Sequence, residues 1–155
     1  MTVAPELFDP EHALGALKIA DKVLRAPLGM KTLDPNDFQY RPHYDNSNDS
    51  DDPAIAKGRN YHQGPEWGWP LGYFLRAYFY FDAKVGAGMG DPTQTLHYLH
   101  KLLLPARHHI RNDPWRGIPE LTNKDGAYCS DSCKTQAWSA SCLLDFLEEV
   151  HKSKA

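Results

Sequence analysis

From Leu71 to Phe81 the chain reads Leu-Gly-Tyr-Phe-Leu-Arg-Ala-Tyr-Phe-Tyr-Phe, and Arg76 alone is charged. A segment this apolar is not a surface element, so the rest of the fold has to enclose it on nearly every side. Aromatic density favours a strand, whereas Pro70 suits the first turn of a helix and the neighbouring segments read as helices, so the helix is the reading adopted. The approach to it has the opposite character. Tyr61, His62, Gln63, Glu66, Trp67 and Trp69 gather a phenol, an imidazole, an amide, a carboxylate and two indoles at the mouth of the helix. Such a mixture suits a polyhydroxylated ligand, because sugar rings present apolar faces and hydroxyl edges together.

The 155 residues fit one ordinary domain, and a 41% hydrophobic content is enough to build a core. A formal net charge of -3 leaves no basic stripe for a phosphate backbone or an anionic bilayer, so nucleic acid and membrane are both unexpected partners. No apolar run approaches the ~20 residues needed to span a bilayer, and the N-terminus lacks a signal-peptide pattern. A cytoplasmic setting is the default expectation. Cys129, Cys133 and Cys142 are an odd number without a paired CxxC, which argues against a disulfide framework and a zinc knuckle and leaves reduced thiols. No motif calls for a cofactor.

Asp9-Pro10-Glu11 starts a first helix, with Ala13, Ala16, Leu17, Ala20, Val23 and Leu24 at helical spacing and an end before Pro27 and Gly29. Residues 26–64 lack periodicity. A connection beyond about 12–15 residues is usually functional or disordered, and Tyr40, Tyr44, Arg59 and Tyr61 argue against disorder. Asp45, Ser47 and Asp49 alternate as in a calcium loop, but Ser50 stands where glycine is needed and Ala56 where the bidentate glutamate belongs, so no metal is assigned. The buried helix should end near Lys84 in a glycine turn over residues 85–90. Asp91-Pro92 then starts a third helix with Leu96, Leu99 and Leu103 as its stripe and Pro105 as its interruption. A second long loop runs from Asp113 to Ser132. The last helix, roughly Cys133 to His151, is expected to bury Ala137, Ala140, Leu143, Leu144, Leu147 and Val150.

Four consecutive helices alternating in direction bring both long connections to one end. The unusual polar and aromatic residues all lie there: the approach residues above, with Trp115, Glu120, Asn123, Gln136 and Trp138. Loops carried on a rigid scaffold are where sites are built. Each signal also has an ordinary reading. Trp67, Trp69 and Trp138 stand at helix starts, where core aromatics also stand, and glutamates such as Glu66 and Glu120 are usually solvated. His108 and His109 are adjacent, share no helix face and suit a helix C-terminal end better than a metal.

The wording of four motifs goes further. Thr32-Leu33-Asp34-Pro35, Asn60-Tyr61-His62-Gln63-Gly64-Pro65-Glu66-Trp67, Pro119-Glu120-Leu121-Thr122-Asn123 and Cys133-Lys134-Thr135-Gln136-Ala137-Trp138-Ser139 closely resemble, in order, the C-terminal end of eukaryotic glycogen debranching enzymes. That resemblance implies a large bifunctional protein. A glucanotransferase moves a short maltooligosaccharide, and an amylo-α-1,6-glucosidase releases the remaining branch glucose with inversion from a domain built as an (α/α)6 toroid. It further implies an all-α chain whose antiparallel helices form the last part of that toroid. Residues 1–155 would be a C-terminal piece of the glucosidase domain, with glycogen or limit dextrin and the rest of that domain as partners.

The resemblance casts Glu120 as the general base, a role strengthened by the similar motif order of trehalase-like toroids, and Glu66 as a substrate-binding residue. Inverting hydrolysis needs two carboxyl groups ~6.5–9.5 Å apart, and the family's general acid, an aspartate, lies upstream of the residues present. Met1 resembles an internal methionine of the family. A fragment is therefore expected, inactive by itself and exposing apolar helix faces that normally meet neighbours. The rival expectation is a non-enzymatic helical module that binds carbohydrate or a partner.

Overall fold

A computed structural model describes residues 1–86 and 92–153. Helix α1 spans Pro10–Val23, and its start is the one the sequence announces: the Asp9 side chain accepts the His12 N–H at 2.9 Å, with Pro10 in the first turn. Its buried stripe is Ala13, Leu14 and Leu17; Ala16, expected inside, is exposed.

Helix α2, Trp69–Gly86, is the organising element. Leu71, Phe74, Leu75, Ala77, Tyr78 and Phe81 are buried, enclosed by α1, by α3 (Pro92–Leu102) and by α5 (Ala137–Lys152). The approach to α5 is close. A β-carbon added at Gly72 would lie 2.3 Å from the carbonyl carbon and oxygen of Cys142, so only glycine allows the two backbones to meet here. Arg76, the single charge of the apolar run, reaches the edge of α5 and donates through Nε to Glu149 at 2.7 Å. The expected glycine turn keeps only Val85 and Gly86 among the described residues, where they finish α2 as helix; residues 87–90 and the Asp91 cap lie outside them.

Pro105 separates two helices. The break falls at Leu103, and α4 runs Leu104–Asn112 with the proline in its first turn, where a missing N–H costs least. The last helix begins later than its periodicity suggests. Residues 133–136 are instead tied to the preceding loop, with the Gln136 N–H donating to the Ile118 carbonyl and the Glu120 N–H to that of Cys133, both at 2.9 Å. Along α5 the core side chains are Ser139, Cys142, Leu143, Phe146 and Val150. Leu144 and Leu147, expected inside, instead face a largely apolar groove beside Ile110 and Leu103 of the α4 region, and Leu144 is 63% exposed.

The expectation of an all-α chain needs one amendment. The protein is mostly helical but holds a small antiparallel sheet of β1 (Met30–Lys31), β2 (Glu66–Trp67) and β3 (Leu121–Thr122), in that order. Met30 pairs with Trp67, and Trp67 with Leu121. Strands of two residues carry no period for a sequence to display. Their effect on the site is large, because they fasten both long connections to each other at the mouth of α2. The 26–64 connection is ordered by similar ties: Asn60 Nδ2 donates to the Arg41 and His43 carbonyls at 2.8 and 2.7 Å, and the Tyr44 N–H donates to Asn123 Oδ1 at 2.8 Å. Among the described residues, no helix is long and apolar enough to cross a membrane, and no group of three or more His, Cys, Asp or Glu could hold a metal ion.

Candidate active site

Glu120 stands immediately before β3, half-buried, and is held at four points. Its N–H donates to Cys133, while its carbonyl accepts the Gly68 N–H at 2.8 Å. One carboxylate oxygen, Oε1, accepts a hydrogen bond from the Tyr61 hydroxyl, and Oε2 accepts the Cys133 N–H at 3.3 Å. A carboxylate gripped in this way keeps one orientation while leaving lone pairs free on both oxygens.

Tyr61 is itself fixed. Its ring centroid lies 4.6 Å from that of Trp67, edge-on, and 4.8 Å from that of Tyr44, and its carbonyl accepts the Trp67 indole N–H at 3.0 Å. Burial first, and the bond to Glu120 second, push the phenol well above its ordinary pKa, so Tyr61 remains a donor at any physiological pH. Exposed His62 stacks on Trp67 at 4.9 Å and 24° between planes, covering an indole that is otherwise buried. Trp69 and Trp138 stack on each other at 4.4 Å with planes 4° apart, and Trp138 remains 46% exposed.

Glu66 is somewhere else entirely. Its side chain is 1% exposed and accepts three hydrogen bonds, from the N–H groups of Asp125 and Gly126 at 2.8 and 2.9 Å and from the Thr122 hydroxyl at 3.1 Å. Asp125 and Gly126 have φ of 60° and 76°, so their successive N–H groups form a concave nest around the carboxylate. Burial raises the Glu66 pKa, with the three hydrogen bonds opposing the rise. The side-chain oxygen of Gln136 accepts from Ser139 at 3.1 Å, and the backbone carbonyl of Gln63 accepts the Arg41 N–H at 2.6 Å.

The family described as Amylo-alpha-1,6-glucosidase matches residues 1–145. The chain belongs to this family. One relative of this chain, the glycogen debranching enzyme of Saccharomyces cerevisiae (strain ATCC 204508 / S288c), is 54% identical over 156 residues, covering 97% of this chain and 10% of that enzyme. The chain therefore spans about a tenth of the length of that relative.

Of the residues singled out in the sequence, the structure brings together Tyr61, His62, Trp67 and Glu120 through the pairing of β2 with β3, with Asn123 tied to the neighbouring Tyr44. Trp69 and Trp138 form a separate stacked pair, Trp115 is exposed on the loop after α4, ahead of Pro119, and Glu66 faces the interior. One partner of Glu120 and two of Glu66 carry no signal for these contacts in the sequence. Cys133 contributes a backbone N–H, which its side-chain type does not advertise. The Asp125-Gly126 dipeptide was a visible turn signal, yet nothing along the chain says that its N–H groups face Glu66.

Proposed function

We propose that this chain is part of the α-1,6-glucosidase unit of a glycogen-debranching protein and contributes Glu120 as the general base of an inverting hydrolysis. The observation that carries the reading is the two-point grip on the Glu120 carboxylate by the Tyr61 hydroxyl and the Cys133 N–H. In this reaction Glu120 takes a proton from water as the water oxygen bonds to C1 of the branch glucose. The bond from C1 to the glycosidic oxygen breaks on the opposite face, and that oxygen receives a proton from a second carboxyl group ~6.5–9.5 Å away. The second group is assigned to a part of the protein outside these residues. Tyr61 is a positioning residue: its hydroxyl aims Glu120 and its ring is clamped by Trp67 and Tyr44. His62, Asn123, Gln63, Gln136 and the Trp69–Trp138 pair are assigned to the glucosyl residue. Glu66 holds the turn after β3 in place.

Residues 1–155 are read as the last part of an (α/α)6 toroid. The apolar groove beside Ile110, Leu144 and Leu147 supports that reading, because an uncovered hydrophobic face calls for a neighbour. A second reading, a helical module that binds glycogen without hydrolysing it, draws support from Glu66, whose inward carboxylate supplies no acid for the pair. The test is a chimera in which this chain replaces the matching segment of the yeast enzyme. Glucose release from limit dextrin by the chimera, and none by the chain alone, is expected. Co-sedimentation with glycogen together with an inactive chimera would favour the second reading.

A further inference from the structure

The Leu121 N–H has a partner outside the sheet. Leu121 pairs with Trp67 in β2, yet its N–H donates to the Ser132 hydroxyl at 3.1 Å, and both residues are buried, at 1% and 6% exposed. That hydroxyl donates in turn to the Cys133 carbonyl at 3.4 Å. The same carbonyl accepts the Glu120 N–H at 2.9 Å, and an oxygen with two lone pairs takes both. One serine therefore ties the backbone just after Glu120 to the residue that grips its carboxylate. We propose that Ser132 is a positioning residue of the hydrolysis, its hydroxyl holding the Cys133 N–H in place on Glu120 Oε2. The proposal rests on Glu120 as the general base and names what keeps that base aimed.

The lengths of the contacts decide which group controls which. At 3.3 Å, the bond from the Cys133 N–H to Oε2 is longer than the usual range and cannot by itself fix either partner. The backbone around it can. Glu120 is held through its N–H by Cys133 and through its carbonyl by the Gly68 N–H at 2.8 Å, so its main chain has little freedom. Cys133 belongs to a loop and needs a tie of its own. That loop is closed by the Ser132 N–H on the Cys129 carbonyl at 3.4 Å, and by Lys134 Nζ on the carbonyls of Cys129 and Ser130 at 3.0 and 2.7 Å. The Ser132 hydroxyl then ties the closed loop to β3. Removing the hydroxyl strands the Leu121 N–H, and a buried donor without an acceptor drives the backbone to rearrange. The rearrangement falls on the peptide that carries the Cys133 N–H. Glu120 then loses one of its two carboxylate contacts while Tyr61 keeps the other.

A double-mutant cycle in the yeast chimera tests this. Ser132→Ala should lower kcat about tenfold with KM little changed. Added to Glu120→Gln it should cost nothing further, because a residue acting through the carboxylate then has nothing left to position. Ser132→Thr keeps the hydroxyl, and the cavity of about 240 Å³ that Ser132 lines can receive the extra methyl, so most of the rate should return. A purely structural serine gives other results: a lower melting temperature with kcat unaltered in Ser132→Ala, or a loss of rate that multiplies with that of Glu120→Gln. Either would overturn the proposal. Amide hydrogen exchange in the unaltered chain adds a check that needs no variant to fold: the Leu121 amide should be protected, and a fast-exchanging one would overturn the bridge. A chimera that keeps its full rate with Ser132→Ala but not with Glu120→Gln removes Ser132 and keeps the base; one that keeps it with Glu120→Gln removes both.

Discussion

Glu66→Gln changes one atom at the most crowded polar point of the structure. The wild-type carboxylate meets three donors, with Asp125 on one oxygen and both Gly126 and Thr122 on the other. When protonated, it can give its proton to the Thr122 hydroxyl and still accept both backbone N–H groups, so all partners stay satisfied. Glutamine has no such solution. Whichever way its amide is turned, an NH2 group opposes a backbone N–H, and a buried donor left without an acceptor costs ~1–3 kcal/mol. For a chain of this length each kcal/mol lowers the melting temperature by about 2–4 °C.

The pH dependence follows from the raised folded-state pKa of Glu66, caused chiefly by burial. Both states are protonated below the unfolded value of ~4.3. As pH rises past that value, the unfolded chain ionises first, so the stability from this group declines until the folded pKa is passed and is level thereafter. Glutamine has no such titration. The gap between wild type and Glu66→Gln should be widest below the ordinary glutamate range and narrower at neutral pH. Denaturant unfolding followed by circular dichroism at both pH values measures it. A variant as stable as wild type, or a gap that widens with pH, would refute the reasoning.

Gly72→Ala should destabilise the chain by ~1–3 kcal/mol, because the new methyl group meets the Cys142 carbonyl and not a movable side chain. The same change at Gly15 in α1, where nothing lies within 4 Å, should stabilise by up to ~1 kcal/mol, and thermal melts of both variants check the opposite signs. Tyr61→Phe in the yeast chimera should lower kcat about tenfold with KM little changed, since it removes the donor that aims Glu120 and leaves the ring packing intact. An equal effect on KM alone would return Tyr61 to substrate binding.

Much of the scaffold could be read along the chain because the physics there is local. Asp9 caps α1 through its neighbour three residues on, and the apolar run 71–81 identifies the central helix without any partner being known. The convergence of the two long connections followed from helix order. What carried it, the pairing of Trp67 with Leu121, did not, because two-residue strands leave no alternation to detect. Glu66 and Glu120 look alike in sequence, and only long-range contacts separate them: three donors close over one, while a phenol and a single amide leave the other half-buried. Leu144 and Leu147 fit the helical period of α5 as well as Leu143 does. Periodicity marks an apolar face, but whether these residues or others cover it is decided elsewhere.

Glu120→Gln bears on the central claim most directly. In the chimera it keeps the shape and the Tyr61 contact of the side chain while removing the base, so glucose release from limit dextrin should fall by about 10²–10⁴-fold with transferase activity unaltered. A variant that releases glucose at the wild-type rate would contradict the account.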